Sequence, residues 1–507
     1  MEMTIGQTLL TNAFNFGDRE AIVIGDIRAT FAELNDAVNR RANALLELGV
    51  KKGHHVGTLF GNSMELIESI YALARIGAVV VPLNTRFSSA ELIYVMDHSD
   101  VSTVIFQDQF EETIQKIRPA VSDVKQLICS GETVPDEFID FEAKTRKQSV
   151  QMPQTDVKES DIATIMYTSG TTGKPKGVVA THKIWVWGMV NAILAKKDIF
   201  QKPLTVFPLF HLGAFMQLFA CHFSGNSMVM LKGFDPKLVL ETIEKERITE
   251  IFHPPTVYRM LLQIPDLETY DLSSIRNLNS GSEALPDEIR QQLKKVFPQA
   301  RIIENYGQTE SVGGLTSLQA EDADAKRFSV GRPFPNTRIG VVNEEGNDAT
   351  PGTVGEIIGC GPSIMKEYYK NPEKTADTIR DGWLYTGDMG RLDADGFLYI
   401  KERKNHMIIS GGENIYPKEV EEVLYQHSKI IEAAVFGLPD EIYGQKVCAA
   451  VVVKPGEQMA PEEVIDFCKD NLASFKKPKE VYFMEDLPKS PIGKVLRSAL
   501  KKQYQNT

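Results

Sequence analysis

Cysteine is scarce in this chain, and the few that occur lack the spacing of a metal site. Of 507 residues only five are cysteine, with no CxxC pair among them: Cys129, Cys221, Cys360, Cys448 and Cys468. An odd number of scattered cysteines is typical of free thiols in a reducing compartment, and it argues against a disulfide-stapled secreted domain. We therefore expect a cytoplasmic protein.

Long apolar segments and a surplus of positive charge are missing as well. Apolar runs such as AVVVPL (78–83) are far too short to cross a bilayer, so no transmembrane segment is expected. The first residues, MEMTIGQTLL, show no basic segment followed by an apolar core, which predicts no signal peptide. A formal net charge of −12 argues against nucleic acid as a partner.

Apolar and polar residues alternate in the first half as they do in α/β proteins. Short apolar runs at 20–24, 55–60 and 78–83 read as strands. Helical patterns lie between them at 30–49, with a Thr30–Glu33 capping box, and at 63–77. This βαβ rhythm, in a chain too long for one core, predicts an α/β fold with parallel-rich sheets and more than one domain.

The pattern changes twice further along the chain. From about 325 to 400, short apolar stretches separated by Gly, Asp and Asn indicate a small β-barrel-like region. After about 405, helical segments (417–426 and 461–472) mix with strand-like ones (432–440 and 446–454). We expect a large N-terminal domain over 1–403, a tight hinge at 403–405, and a small mobile α+β domain over 404–507.

The most informative short stretch is YTSGTTGKPKGV (167–178), which follows an apolar run. Its glycines let backbone N–H groups approach a ligand, its hydroxyls can donate, and its lysines supply charge, so it has the character of a phosphate-binding loop. No register of the stretch fits the GxxxxGK[ST] pattern of P-loop NTPases. A solvated turn is the alternative for its Ser-Gly-Thr core taken alone.

Together with four later motifs, this stretch resembles the adenylate-forming superfamily, and most closely its acyl-CoA synthetases (fatty-acid–CoA ligases). The further motifs are ENYGQTE (304–310), YTGDMG (385–390), SGGENIYP (410–417) and PKSPIGKVLR (488–497). They occur in the family's order and span nearly the whole chain. The resemblance implies that ATP activates a carboxylic acid as an acyl-adenylate, releasing pyrophosphate, and that the thiol of coenzyme A then displaces AMP.

The resemblance also implies a nucleotide site. The phosphates would be held by Thr168, Ser169, Gly170, Thr171, Thr172, Gly173 and Lys176. Adenine would lie among Ser282, Glu283, Ala284, Glu304, Asn305, Tyr306, Gly307, Gln308 and Thr309, and the ribose would meet Asp388 and Arg403. Magnesium would be bound by Glu310 with help from Thr168, since it prefers oxygen ligands. Glu283 stands where the family has a small residue.

The C-terminal part is expected to serve both half-reactions. Lys494 matches the family's lysine that bridges the carboxylate and the α-phosphate during adenylation. For thioester formation, Gly411, Gly412 and Glu413 would line the pantetheine tunnel, while Tyr443, Lys477 and Lys479 would contact the coenzyme A nucleotide. Asn405 stands at the hinge, where Asp or Lys is usual in the family. Taken alone, the lysines would be read as a solvated basic turn.

The substrate acid is predicted from apolar segments. PLFHLGAF (208–215) resembles the segment lining the acyl pocket, with His211 near the carboxylate or acting as a gate. Segments 252–261 and 310–317 would add walls, and the small Gly313 and Gly314 suggest depth. Apart from Arg259, no charged side chain in these segments stands out as a partner for a second charged group on the substrate. A medium- to long-chain fatty acid is therefore favoured over a dicarboxylate or an amino acid. An aryl acid is the close alternative.

Three other functions stay open at this stage. An adenylation enzyme that loads a carrier protein would not need the basic segment SFKKPK (474–479). A non-enzymatic ATP-binding protein would be expected to lose Glu310 or Lys494, and both are present. A luciferase-type oxygenase starts from the same adenylate. The sequence leaves a homodimer open.

Overall fold

The computed structural model describes residues 2–168, 175–196, 201–404, 406–410, 413–489 and 495–505, with the backbone alone at 414. The chain divides into two compact units. The first comprises Met1–Ile339 and Gly359–Leu384, and the second comprises Gly340–Ile358 and Tyr385–Thr507.

The described residues form helices in both units. They are α1 (Ile5–Phe16), α2 (Phe31–Glu47), α3 (Met64–Ile76), α4 (Ser89–His98), α5 (Glu111–Ile117), α6 (Phe141–Arg146), α7 (His182–Leu194), α8 (Leu212–Phe223), α9 (Pro236–Glu246), α10 (Pro255–Leu262), α11 (Asp287–Val296), α12 (Pro372–Thr378), α13 (Pro417–Leu424), α14 (Pro461–Asn471) and α15 (Arg497–Tyr504). Among the residues that the structure describes, no helix is long and apolar enough to cross a membrane.

Strands alternate with these helices through most of the chain. They are β1 (Glu20–Ile24), β2 (Ile27–Thr30), β3 (His55–Leu59), β4 (Val79–Pro82), β5 (Thr103–Gln107), β6 (Gln126–Ser130), β7 (Ile139–Asp140), β8 (Ile162–Thr168), β9 (Lys176–Thr181), β10 (Pro203–Thr205), β11 (Met228–Met230), β12 (Glu250–His253), β13 (Asn277–Ser280), β14 (Arg301–Tyr306), β15 (Thr316–Leu318), β16 (Arg332–Pro333), β17 (Arg338–Val342), β18 (Gly355–Cys360), β19 (Glu367–Tyr368), β20 (Ile379–Arg380), β21 (Trp383–Leu392), β22 (Leu398–Arg403), β23 (Ile408–Ser410), β24 (Glu413–Ile415), β25 (Ile430–Asp440), β26 (Gly444–Val453) and β27 (Glu480–Phe483).

Two large sheets build the first unit, and both are mainly parallel. One has the order β16-β15-β14-β13-β12-β10-β11-β1-β2, and its run from β14 to β1 is parallel. The other has the order β19-β9-β8-β4-β3-β5-β6-β7, in which β9 is antiparallel to both of its neighbours, β8 and β19. The predicted α/β fold with parallel-rich sheets is confirmed.

A shared apolar core joins the two large sheets. It contains Ile22 and Met228 from one sheet, Val56 and Val80 from the other, and side chains of α2, α3 and α8. Helix α3 is buried on nearly every side, and that is why its sequence is apolar on more than one face. It begins after the cap residue Ser63 and ends at the left-handed Gly77 (φ 74°).

The predicted local signals match the structure. The capping box of α2 forms as expected, because the Thr30 side chain accepts from the Glu33 N–H and the Glu33 carboxylate accepts from the Thr30 N–H. Strand β3, helix α3 and strand β4 make the expected parallel βαβ unit.

The later part of the chain forms smaller sheets, as the changed sequence pattern indicates. Short strands follow the order β17-β18-β21-β20, with β22 paired to β21. Beyond them, β23 and β24 form a hairpin, and β25, β26 and β27 form a sheet covered by α13, α14 and α15. Apolar clusters lie on both faces of that sheet, so the small α+β region predicted after residue 405 has its own core.

Candidate active site

The hairpin of β8 and β9 carries the loop predicted to hold phosphate. The two strands pair in register up to Thr168, which lies opposite Lys176. The loop residues named from the sequence, Ser169, Gly170, Thr171, Thr172 and Gly173, lie outside the described residues. The hairpin therefore places one predicted phosphate ligand at each end of the loop.

Helix α4 contacts both flanks of this loop. The Tyr94 hydroxyl donates to the carbonyl of Pro175 (3.2 Å), and His98 Nδ1 lies 2.7 Å from the Tyr167 hydroxyl. The Tyr94 and His98 rings also stack, with centroids 5.4 Å apart. One helix thus fixes where the loop begins and where it ends, a contact that the sequence analysis missed.

A tyrosine connects Glu310, the predicted magnesium ligand, to Lys176 on β9. It is 9% exposed and lies in a single turn of 3₁₀-helix, Thr309–Ser311. The Tyr368 hydroxyl donates to Glu310 Oε1 at 2.6 Å, and Lys176 Nζ donates to the same hydroxyl at 3.4 Å. Lys176 also lies over the Tyr368 ring, 4.5 Å from its centroid. Two residues predicted separately are therefore joined by a third.

The oxygen atoms of the two predicted metal ligands are of the type that magnesium prefers. Glu310 offers a carboxylate held by a hydrogen bond, and Thr168 offers a hydroxyl at the end of β8. Magnesium takes one or two protein oxygens together with substrate phosphates and waters, so it does not require a cage of protein ligands. The described residues contain no group of three or more His, Cys, Asp or Glu that could hold a metal.

The predicted adenine segments follow two neighbouring parallel strands. Strand β13 pairs with β14, and Ser280 lies opposite Glu304. The segments 281–284 and 305–309 therefore leave the sheet at the same edge, as ligand-binding loops do in open α/β sheets. Ser282 takes a left-handed backbone (φ 70°), and its side chain and those of Glu283 and Ala284 are exposed.

Glu304 has structural partners of its own. Its Oε2 accepts from the Leu285 N–H at 3.1 Å, and its Oε1 pairs with Arg290 from α11. Because Leu285 directly follows the segment 282–284, this buried carboxylate fixes the end of the loop that would border adenine. Asn305 and Tyr306 are half-buried beyond it.

A tight turn connects Tyr306 with Glu310. A Cβ at Gly307 would lie 2.3 Å from the Gly313 carbonyl oxygen, so only glycine fits there. The Gln308 N–H donates to the Ser311 hydroxyl (3.1 Å), which in turn donates to the Gly313 carbonyl (3.0 Å). Gln308 and Thr309, which lie in this turn between the predicted adenine segment and the predicted metal ligand, are half-buried.

In the second unit, the two predicted ribose ligands are neighbours. Asp388 on β21 lies opposite Arg403 on β22, and Arg403 Nε lies 2.7 Å from Asp388 Oδ1. Asp388 is 4% exposed, and its N–H donates to the Thr386 hydroxyl (3.1 Å). The pair places a carboxylate at a defined position with a cation beside it.

Residues on the two sides of Lys494 contact one another, although Lys494 itself lies outside the described residues, as do Asn405, Gly411 and Gly412. Lys489 and Val495 form an isolated antiparallel bridge, and the Leu496 N–H donates to the Pro488 carbonyl (2.7 Å). Arg497 then pairs with both oxygens of the buried Glu421 (2.6 Å each).

A second buried carboxylate, Glu402, lies near Arg497. It accepts from the Arg403 N–H (2.8 Å) and the Lys418 N–H (3.1 Å), with His406 Nδ1 3.4 Å away. Burial would raise the pKa of Glu402, but the neighbouring His406, the Arg497 charge and the Arg403 N–H outweigh it and lower the pKa to about 2.

The predicted coenzyme A contacts are brought together in part. Lys479 Nζ lies 3.3 Å from the centroid of the Tyr443 ring, a cation–π contact. Lys477 is half-buried, whereas Lys476 is paired with Glu419 (2.6 Å). Glu413 is exposed and lies opposite Ser410 in the β23–β24 hairpin.

Several aromatic rings lie within the predicted acyl segment or next to it. His211 immediately precedes α8, with its ring 4.6 Å from that of Phe210. Phe207 lies 5.8 Å from Phe252 and 5.4 Å from His253 by ring centroids. Full burial lowers the pKa of His253 to about 3, so this ring is neutral at physiological pH.

The two glycines thought to give the pocket depth are used in packing. A Cβ at Gly314 would lie 2.0 Å from Phe334 Cε2, and one at Gly313 would lie 3.5 Å from the Met216 methyl group. The space beside Gly314 is therefore filled by Phe334. A separate cavity of about 410 Å³ at the start of β3, β5 and β6 contains none of the predicted site residues.

Sequence reasoning missed Tyr368, Phe207, and the Tyr94–His98 pair. Phe207 directly precedes a segment that was singled out, so extending that segment by one residue would have found it. Tyr368 lies in KEYYKNPEK, where no composition or spacing points to a role, and its contact with Glu310 joins residues 58 positions apart.

Comparison with known proteins agrees with this geometry. The family model described as AMP-binding enzyme matches residues 9–369, and the model described as AMP-binding enzyme C-terminal domain matches residues 419–494. The long-chain-fatty-acid–CoA ligase of Bacillus subtilis (strain 168) is 35% identical over 539 residues, covering 98% of this chain and 94% of the relative.

Two further relatives cover nearly all of both chains. The 2-succinylbenzoate–CoA ligase of Geobacillus sp. (strain WCH70) is 36% identical over 515 residues, covering 100% of this chain and 99% of the relative. The crystal structure of ATP-bound MatB from Rhodopseudomonas palustris superposes with a TM-score of 0.92 at 30% identity, over 100% of this chain and 99% of that one. This chain therefore belongs to the AMP-binding enzyme family, as an AMP-forming acid–thiol ligase of its acyl-CoA synthetase branch.

Proposed function

We propose that this ligase activates an apolar carboxylic acid, a medium- to long-chain fatty acid, with ATP and Mg²⁺ and transfers the acyl group to coenzyme A. The observation that carries the choice of acid is the aromatic wall formed by Phe207, Phe252 and the neutral His253 at the ends of β10 and β12. Such a wall favours hydrocarbon over a second charged group, because moving a charge from water to a site beside aromatic rings is costly.

In the first step, an oxygen of the substrate carboxylate would attack the α-phosphorus of ATP, and pyrophosphate would leave. We assign the β- and γ-phosphates to Lys176, Thr168 and the loop between them, and assign adenine to 282–284 and 305–309. Magnesium at Glu310 and Thr168 would neutralise charge that develops on the phosphates. Because Tyr368 and the Gly307 turn hold Glu310 in place, little reorganisation would be needed in the transition state.

In the second step, the sulfur of coenzyme A would attack the acyl carbon, AMP would leave, and the thiol proton would be released. We assign the coenzyme A nucleotide to Tyr443, Lys477 and Lys479, supported by the Tyr443–Lys479 cation–π contact. A carrier-protein substrate would not use this pair. We retain the division into 1–403 and 404–507, with the hinge at 403–405, as part of this proposal.

The test is the rate of AMP release with a panel of acids, measured with and without coenzyme A. We expect the highest kcat/KM with saturated acids of medium to long chain, and AMP release that depends on coenzyme A. Preference for a dicarboxylate would contradict the assignment of the acyl pocket. Transfer to a pantetheinylated carrier protein, with no response to coenzyme A, would contradict the assignment of the thiol substrate.

An aryl-acid–CoA ligase is the second candidate, and one contact favours it. The Phe252 ring lies against Gly213 and Gly281, since a Cβ at those positions would come within 3.4 Å and 2.9 Å of it. A flat ring with glycine on two sides can support a flat substrate. Benzoate derivatives therefore belong in the same panel.

A cytoplasmic location stays a prediction, and so does a homodimer. All five cysteines are free thiols, the state on which the predicted location rests.

A further inference from the structure

We propose that Tyr368 is a positioning residue for the magnesium site, setting the orientation of Glu310 and linking it to the phosphate ligand Lys176. This inference rests on the proposed function, because it takes Glu310 as the metal ligand. It concerns a residue that no motif pointed to, on the two-residue strand β19.

The number of protons on a hydroxyl fixes the direction of the contacts. A tyrosine hydroxyl has one proton to donate and lone pairs to accept with. That proton goes to Glu310 Oε1 at 2.6 Å, the short distance of a bond to an ionised acceptor. Lys176 Nζ is left to donate to the hydroxyl oxygen at 3.4 Å. The hydroxyl therefore connects the Lys176 ammonium to the Glu310 carboxylate through two hydrogen bonds.

The position of Tyr368 is set by backbone pairing. Strand β19 pairs with β9, with Tyr368 opposite Val178, two residues after Lys176. The Met365 N–H donates to the backbone carbonyl of Glu310 at 2.8 Å, so the same segment holds Glu310 by main chain and by side chain. Tyr368 is 4% exposed, and burial keeps water from replacing it at the carboxylate.

The hydrogen bond leaves Oε2 of Glu310 as the oxygen that we assign to magnesium. A metal-binding carboxylate is usually held by a second hydrogen bond, and removal of such a partner typically costs about 10- to 100-fold in metal affinity or activity. The Tyr368 ring has a separate task, the cation–π contact with Lys176. Removing the hydroxyl and removing the ring should therefore have different consequences.

The test uses Tyr368→Phe, which removes the hydroxyl and keeps the ring under Lys176. Tyr369→Phe is the matched control, because the neighbouring Tyr369 hydroxyl donates to Asp100 (2.7 Å) and not to Glu310. Equilibrium binding of ATP to the full chain is measured by calorimetry, with Mg²⁺ and with EDTA. We expect Tyr368→Phe to weaken binding of Mg·ATP by about 10- to 100-fold and binding of metal-free ATP by less than about threefold. Tyr369→Phe should bind both forms like the wild type.

A purely structural role would give another result. Equal weakening with and without Mg²⁺, or a lower thermal midpoint with an unchanged ratio of the two affinities, would overturn the proposal. In a Glu310→Gln background, Tyr368→Phe should cause no further change in that ratio, since the carboxylate it orients is absent. If the wild type binds ATP equally well with Mg²⁺ and with EDTA, the magnesium site of the proposed function is refuted. A Mg²⁺-dependent wild type with an unaffected Tyr368→Phe would refute only the role of Tyr368.

Discussion

Replacing Arg497 by methionine should strongly lower the stability of the second unit, because it would leave the buried Glu421 carboxylate without its charged partner. Arg497 contacts both oxygens of Glu421 at 2.6 Å, and the two side chains are 17% and 9% exposed. Burial would lower the pKa of Arg497, but the charges of Glu421 and Glu402 outweigh it, so the pKa is raised and the guanidinium stays charged. Breaking such a pair by removing one partner costs about 3–5 kcal/mol.

Hydrogen exchange measured by mass spectrometry is the suitable assay, since a chain of two units need not unfold in one step. Peptides from α13 and β25 report on the second unit, and peptides from α2 report on the first. Because each 1.4 kcal/mol is a factor of ten, we expect exchange in α13 and β25 to be faster by about 100- to 3000-fold. Exchange in α2 should be unchanged.

Two further variants separate the buried charge from a general loss of contacts. Lys429→Met breaks a half-exposed pair with Glu463 (2.9 Å; 32% and 38% exposed), and it should leave exchange in the second unit close to that of the wild type, because an exposed ion pair contributes little to stability. Adding Glu421→Gln to Arg497→Met should restore most of the protection, because the neutral amide can still accept from the Val435 N–H. If Arg497→Met behaves like Lys429→Met, the reasoning is wrong.

The loss should also depend on pH. Burial raises the pKa of Glu421, and Arg497 opposes this, so its removal raises the pKa further. A carboxyl with a raised pKa in the folded state contributes stability below its unfolded pKa and loses it as pH rises through the folded pKa. Arg497→Met should therefore be more destabilised at pH 8 than at pH 5. A loss independent of pH would show that Glu421 is not the cause.

Three other predictions concern the reaction and its acid limit. Lys494→Ala should abolish formation of the adenylate, measured as pyrophosphate release, yet spare thioester formation from pre-made acyl-adenylate; equal loss of both steps would contradict its role. Gly307→Ala should lower the rate of pyrophosphate release by at least about tenfold. The added Cβ would lie 2.3 Å from the Gly313 carbonyl oxygen, so it must displace the turn that carries Glu310. Activity like that of the wild type would show that the turn adapts. Because Glu402 has its pKa lowered from 4.5 to about 2, it contributes stability that is present above pH 4.5 and is lost as pH falls toward 2. Glu402→Gln should therefore reduce the loss of hydrogen-exchange protection in α13 as pH falls from 4.5 toward 2. A loss of protection equal to that of the wild type would refute this.

The sequence by itself determined most of the local structure. The capping box at Thr30, the helix over 63–77 and the alternation after residue 405 all depend on residues within one or two turns of each other, and such periodic signals survive without knowledge of the fold. The residue types of the loop flanked by Thr168 and Lys176 predict phosphate binding, and this stays a prediction. Resemblance over several ordered motifs then carried the assignment of the family.

The tertiary structure alone decided which of these residues contact one another and which side chains fill the space beside them. The contact of Tyr368 with Glu310 depends on β19 pairing with β9, and the partnership of Glu304 with Arg290 depends on how α11 packs beside β14. Gly314 suggested open space in the sequence, whereas Phe334, twenty residues later, fills it. Such contacts join distant parts of the chain, and strand order and packing select them among many partners that the local pattern permits equally well.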